Sequence, residues 1–231
     1  MFRYLLGGGD MTAFIVSLLL TLPIVMLSLS LHETAHGYVA WRLGDPTARN
    51  LGRLTLNPVK HLDPMGFLCM VLTGFGWATP VPINSRYFKK PRRDIALTAA
   101  AGPLSNLLLA TVFLLMLRFL GYGYLATLTP HTEMQYNLIY FTLLFLYYGV
   151  YMNVTLAVFN LLPAPPLDGS RILFALLPPR LYFKVARHER TISLVLMLLL
   201  LLGPLSRLIS LITGLIVKGM FAAVGMSGFL I

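Results

Sequence analysis

The sequence predicts an all-α membrane protein, a multipass helical bundle with about four to six transmembrane segments. The composition supports this class, because 57% of the residues are hydrophobic and only 11% are charged, with a mean hydropathy of +0.77. Several apolar runs are also long enough to cross a bilayer. Such spans leave no stretch of the 231 residues for a soluble domain, so we predict a single domain over residues 1–231.

The first element is an apolar helix over about residues 12–41. It has no charged side chain between Met11 and Leu31, and it continues well past the length of a cleavable signal core, which predicts a membrane span. Pro23 in its interior predicts a kink, and the sequence Gly44-Asp45-Pro46 ends it.

The segment over residues 62–84 is rich in glycine and proline. Its apolar middle, residues 65–77, is too short to cross a bilayer, which predicts a re-entrant or interfacial element. Its end, residues 78–84, should be extended, because proline disfavours helix both at its own position and at the preceding one. This extended edge could bind a substrate by strand addition, or it could simply pack on the helices.

Three further apolar segments follow in the second half of the chain. A second span is predicted over about residues 95–120 and a third over about 136–162, where a run with three prolines stops it. The last apolar region, about 192–217, is interrupted by Gly203-Pro204 and by Arg207. It predicts either one kinked helix or a short helical hairpin.

The charge distribution predicts an orientation. Residues 42–93 contain nine lysines and arginines and residues 180–190 contain four, whereas residues 121–135 contain none. Basic loops face the cytoplasm in most membrane proteins, so we expect an integral, multi-pass protein with its N-terminus outside and its active site accessible from the cytoplasm. In a prokaryote this membrane would be the cell membrane. The net charge of +10 thus points to lipid headgroups and gives no indication of nucleic acid.

A metal-binding pattern lies within the first span. His32-Glu33-Thr34-Ala35-His36 reads HExxH, and residues four apart share one face of a helix, so His32 and His36 can bind one divalent ion. Glu33 would face the open side of that ion as a general base. A carboxylate at membrane depth is costly, which indicates a function.

Catalytic zinc usually takes three protein ligands, so a third is needed. Among the eight acidic residues, Asp168 stands out, because it follows a proline-broken stretch and precedes another apolar run. Broken backbone at membrane depth is tolerated where it lines a polar cavity. We therefore predict Asp168 as the third ligand, against the alternative of an Asp-Gly pair in an ordinary turn.

Together these motifs resemble the site-2 protease family of intramembrane zinc metalloproteases, peptidase family M50. The family pattern pairs HExxH in a first core span with Asn-x-x-Pro-x-x-x-Leu-Asp-Gly in a later one, which is similar to residues 160–169. Residues 101–106, Ala-Gly-Pro-Leu-Ser-Asn, also resemble its Gly-Pro and Asn motif. The resemblance covers about residues 12–178, followed here by an apolar segment at 191–231.

The resemblance implies one Zn²⁺ per chain, bound by His32, His36 and Asp168, with Glu33 as the catalytic base. It also implies that Asn160 helps to hold the substrate or to stabilise the oxyanion. The implied activity is an intramembrane endopeptidase that hydrolyses single-span membrane proteins near the cytoplasmic face, in regulated intramembrane proteolysis. The expected partners are that transmembrane substrate and the lipid bilayer, and the compact length predicts neither a PDZ nor a CBS domain.

The residues leave two other functions open. A membrane protease acting on soluble or prenylated ends would take its third ligand from a Glu or His on a later helix, and no such helical motif occurs. A non-proteolytic metal-binding or metal-transport protein would need polar residues along several spans, and few are present. Outside the metal pattern, Asn57 and Asn106 are expected to be structural, and the loop histidines, His61, His131 and His188, to be solvated.

Overall fold

The computed structural model describes residues 11–73, 76–178 and 187–229. Short 3₁₀ turns connect its helices, and the described residues contain one isolated antiparallel bridge, between Leu62 and Ala78. The helices are α1 (Met11–Arg42), α2 (Thr47–Asn50), α3 (Pro64–Thr73), α4 (Pro91–Met116), α5 (Glu133–Asn160), α6 (Asp168–Leu176), α7 (Glu189–Leu201) and α8 (Pro204–Ala223).

Four helices in the described part of the chain are long and apolar enough to cross a membrane. They are most of α1, from Phe14 to Arg42; α4 with its π-helical continuation, from Pro91 to Gly121; α5; and α8. The predicted all-α multipass architecture is therefore confirmed.

The helix α4 is central to the bundle. It packs against α1, α5 and α6, while α8 packs on α5. The largest buried apolar cluster joins α4, α5 and α8 and includes Phe113, Leu114, Leu117, Leu146, Val150, Val154, Ile209, Val217 and Phe221. Because α4 touches both α1 and α6, it lies between the two elements that carry the predicted metal ligands.

The segment after α2 turns back on itself, as its glycines and prolines predict. After α3 the chain returns so that Ala78 pairs with Leu62, and residues 79–84 contain no helix. The buried Asp45 fixes the end of this stretch, because its carboxylate accepts the backbone N–H of Asn84 at 2.6 Å and that of Thr47 at 2.9 Å. The stretch from Trp77 to Asn84 is called the returning segment below.

The last apolar region consists of two helices. The chain breaks between α7 and α8 at Gly203, whose φ of +96° lies in the left-handed region that favours glycine. Proline follows at the first position of α8, where its missing N–H costs nothing. The prediction of one kinked helix is therefore wrong, and the region forms two helices that meet at Gly203.

Candidate metal centre

The two histidines of HExxH lie one helical turn apart on α1 and are both buried. Their Nε2 atoms are 3.0 Å apart, and the two ring planes are almost perpendicular, at 88°. The helix continues through the motif to Arg42, so the four-residue spacing alone places both rings on one face.

Asp168 is the first residue of α6, and its Oδ2 atom lies 3.1 Å from His32 Nε2 and 3.2 Å from His36 Nε2. The proline-rich connector before it is folded by hydrogen bonds from Ala164 N–H to Leu162 O and from Leu167 N–H to Ala164 O. The Asp168 carboxyl group thus lies beside both imidazole rings at the start of α6.

The outer nitrogens of both histidines contact carbonyl oxygens. His32 Nδ1 lies 2.6 Å from Asn106 Oδ1, and His36 Nδ1 lies 2.7 Å from the Thr98 backbone oxygen. A carbonyl oxygen only accepts, so each Nδ1 must carry the hydrogen, and each Nε2 of a neutral imidazole then keeps its lone pair for a metal ion. This is the tautomer that a metal ligand requires.

A buried amide network fixes the orientation of Asn106. Its Nδ2 donates to Asn153 Oδ1 at 3.1 Å, and Asn153 Nδ2 donates to the Gly149 backbone oxygen at 2.8 Å. Both side chains are fully buried. The network therefore points Asn106 Oδ1 towards His32, because the Asn106 amide nitrogen is already used on α5.

Gly102 lies directly against the two imidazole rings. A Cβ placed on this residue would lie 2.6 Å from His32 Nε2 and closer still to His36 Nε2. Any side chain here would therefore occupy the volume that the two imidazole nitrogens face.

The three donor atoms fit Zn²⁺. Zinc holds N and O ligands at about 2.0–2.1 Å in tetrahedral geometry, which sets neighbouring donors about 3.3 Å apart. The donors here are 3.0, 3.1 and 3.2 Å apart, so a shift of a few tenths of an ångström would seat the ion. Two imidazoles and one carboxylate form a donor set that catalytic zinc sites use.

One cavity of about 390 Å³ collects all five predicted site residues, the three ligand residues together with Glu33 and Asn160. Asn160 Nδ2 donates to Leu156 O at 3.0 Å within α5. Glu33 Oε2 accepts the backbone N–H of Val81 at 2.8 Å, which ties the carboxylate to the returning segment.

The returning segment is held against α1 by a polar network. Arg53 donates to Thr79 O at 2.7 Å, and Thr79 N–H donates to His61 O at 2.8 Å. The Thr55 backbone oxygen then accepts from Thr34 Oγ1 at 2.6 Å and lies 2.8 Å from His61 Nε2. The expectation that His61 is solvated is wrong, since it is 1% exposed; its backbone pairs with the segment that covers it.

Three residues that contact the histidines were missed by sequence analysis. Thr98, Gly102 and Asn106 are spaced four apart on α4 and so form one stripe facing α1. Asn106 is thus more than a structural residue, because it contacts a candidate ligand. The small-residue motif at residues 101–106 was the sequence signal that could have indicated Gly102 and Asn106 as neighbours of the histidines. Asn57, by contrast, caps the 3₁₀ turn Pro58–Lys60 and lies in no part of the site cavity.

Comparisons with known proteins agree with this geometry. The family model of peptidase family M50 matches residues 20–203. A protein of Bacillus subtilis (strain 168) named "Putative zinc metalloprotease YwhC" is 42% identical over 184 residues, which are 78% of this chain and 79% of that protein. Rip2 of Mycolicibacterium smegmatis, which carries the same description, is 31% identical over 187 residues, 79% of this chain and 66% of its own length. No solved structure gives a significant match.

Proposed function

The chain belongs to peptidase family M50 and is a zinc metalloprotease, and we propose that it is an intramembrane endopeptidase. Its substrates would be single-span membrane proteins, cut near the cytoplasmic face in regulated intramembrane proteolysis. The observation that carries the proposal is the convergence of His32, His36, Asp168, Glu33 and Asn160 on one cavity within a bundle of apolar helices.

In this proposal His32, His36 and Asp168 hold the Zn²⁺ ion. When bound, the ion acidifies a water molecule and polarises a peptide carbonyl. The contacts of Asn106 and Thr98 with the two Nδ1 atoms orient the imidazoles before any metal arrives. Pre-orientation of this kind raises affinity, because the ligands lose little freedom on binding.

Glu33 is assigned as the general base. It would accept the proton of the attacking water and pass it to the leaving amide nitrogen. The hydrogen bond from Val81 N–H occupies Oε2, so this contact orients the carboxylate and leaves Oε1 to face the water. Asn160 would donate a hydrogen bond to the oxyanion, a contribution typically worth about 3 kcal/mol.

The returning segment offers few groups for strand addition. Thr79 and Val81 already donate their backbone N–H groups within the protein, and Pro80 and Pro82 have none. A bound peptide would therefore find mainly carbonyl acceptors along this edge. These contacts favour one role of the returning segment, which is to close the cavity and position Glu33. They argue against full pairing of this segment with a substrate strand.

Two substitutions test the proposal. Purified Glu33→Gln protein should keep one zinc per chain and lose cleavage of single-span proteins by roughly 10²- to 10⁴-fold, whereas Asp168→Ala should lose both metal and activity. Glu133→Gln, at the exposed start of α5, is the matched control and should behave as wild type.

Other outcomes would overturn the assignment. If the Glu33→Gln protein cleaved its substrate at the wild-type rate, Glu33 would not be the general base. Zinc flux into liposomes without any proteolysis by the wild type would instead support the non-proteolytic metal-transport alternative.

A further inference from the structure

A second cavity, of about 540 Å³, lies between the N-terminal part of α4 and the helix α6. Two of its lining residues, Ile83 and Arg171, also line the cavity of about 390 Å³ that contains the candidate metal ligands, called the catalytic cavity below. The two cavities are therefore neighbours that share part of their walls.

This second cavity carries positive charge. Arg92 from α4 and Arg171 from α6 line it, and none of its described lining residues is acidic. Neither guanidinium group has a hydrogen bond or ion pair with any described residue, and both arginines are exposed. The adjacent Arg93 differs, because it is paired with Asp94 at 2.8 Å. Two unpaired guanidinium groups beside one concave surface favour an anionic ligand, since arginine binds carboxylates through paired N–H donors.

Thr98 adds an unused polar group to the same wall. It lines the cavity and is 1% exposed, and its Oγ1 atom has no hydrogen-bond partner among the described residues. A buried hydroxyl without a partner is costly, so this side chain adds unsatisfied polarity behind the cavity wall.

We propose that this cavity is a subsite for an acidic side chain of the substrate, an Asp or Glu close to the cleaved bond. The inference rests on the proposed function, because it concerns where the substrate of that site extends. Arg171 lies three residues after Asp168, about 4.5 Å along the helix axis, and its long side chain extends this reach. At about 3.3 Å per extended residue, the acidic residue would lie about two to four residues from the cleaved bond.

A peptide fits these observations better than a lipid headgroup. The cavity shares Arg171 and Ile83 with the catalytic cavity, and such continuity is expected of one ligand that occupies both. A headgroup site would need no connection to the metal ligands.

The test uses the full-length zinc-loaded protein in vesicles, with synthetic single-span peptides as probes. Three peptides differ only at positions two to four from the cleaved bond, where they carry Glu, Gln or Lys. Wild-type kcat/KM should be about tenfold higher for the Glu peptide than for the Gln peptide, as for a charge-assisted hydrogen bond. Arg92→Gln and Arg171→Gln should remove most of this preference, and Arg171→Glu should reverse it in favour of Lys.

Arg86→Gln is the matched control, because this arginine is exposed and lines neither cavity; it should keep the wild-type preference. Zinc content should stay at one per chain in every variant. If Arg171→Gln slows all three peptides equally, or if the wild type cleaves them equally, the subsite is refuted.

Vesicle composition separates the lipid alternative. If the cavity bound lipid, the wild-type rate would depend on phosphatidylglycerol and not on peptide charge, and Arg92→Gln and Arg171→Gln would lose this lipid dependence. That result would assign the cavity to a lipid headgroup and overturn the proposal. Absence of cleavage of any peptide or single-span protein by the zinc-loaded wild type would count against the proposed function instead.

Discussion

Single residues on α4 prepare the metal centre without carrying charge. The Thr98 backbone oxygen and the Asn106 amide oxygen accept from the outer histidine nitrogens, and Gly102 between them lies directly against the two imidazole rings. Thr98 and Asn106 each act through one hydrogen bond, and all three residues lie on one stripe because they are four residues apart. The affinity for zinc should therefore depend on residues that bind no metal.

Gly102→Ala should lower zinc affinity by at least about 10- to 100-fold, the range for disturbed outer contacts, and should lower cleavage with it. The added Cβ would lie 2.6 Å from His32 Nε2, while alanine is the better helix former, so the helix itself should not be weakened. Zinc per chain, measured by metal analysis after dialysis against a chelator, checks this.

Gly214→Ala in α8 is the control, since nothing lies within 4 Å of a Cβ there; it should retain zinc. A Gly102→Ala protein with full zinc and normal activity would contradict the packing described around the site.

At the scale of elements, the returning segment and α6 complete what α1 begins. The segment supplies the N–H group that holds Glu33, and α6 starts at the carboxylate that joins the histidines. Neither contact is local, since 48 residues separate Val81 from Glu33. The geometry of the candidate site thus depends on how two short elements dock against a long helix.

Val81→Pro should lower kcat by about tenfold, the effect of losing one hydrogen bond to a charged group, with zinc content unchanged. The substitution removes the N–H that donates to Glu33 Oε2. Prolines already flank this position and favour extended backbone there. Steady-state kinetics and metal analysis of the same preparation provide the measurement.

Val81→Ala keeps the backbone N–H and shortens the buried side chain. It therefore separates loss of the hydrogen bond to Glu33 from loss of side-chain packing. An equal loss in the alanine and proline variants would mean that packing of Val81, and not its hydrogen bond, positions the carboxylate.

At the scale of the whole molecule, the bundle brings three sequence-distant regions together. The helix α4 packs between α1 and α6, so residues near 32, 102 and 168 meet at one place. The basic segments at residues 42–93 and 180–190 follow the pattern of cytoplasmic loops. We therefore expect the site to open towards the cytoplasm and the loop between α4 and α5 to face outwards.

Impermeant maleimide labelling of intact cells checks this orientation in a Cys69→Ser background, where no other cysteine is present. Thr129→Cys, in the loop between α4 and α5, should be labelled from outside. Lys89→Cys should be labelled only after permeabilisation. Both positions are exposed, so the opposite pattern would reverse the orientation.

Much of the fold could be predicted from local sequence. Long apolar runs identify α1, α4, α5 and α8 as candidate spans, because hydropathy and helix length are properties of consecutive residues. The spacing of His32 and His36 places both rings on one face for the same reason. Asp168 could be selected because acidic residues are few and its surroundings are unusual for a carboxylate.

Tertiary structure alone decided the contacts that orient these groups. The sequence determined a helical membrane protein with a paired-histidine motif and a candidate third ligand. It did not determine that Asn106 holds His32, that Val81 holds Glu33, or that His61 is buried. The physical reason is that periodicity and hydropathy act within a helix, whereas these hydrogen bonds and buried positions depend on which faces of distant elements pack together.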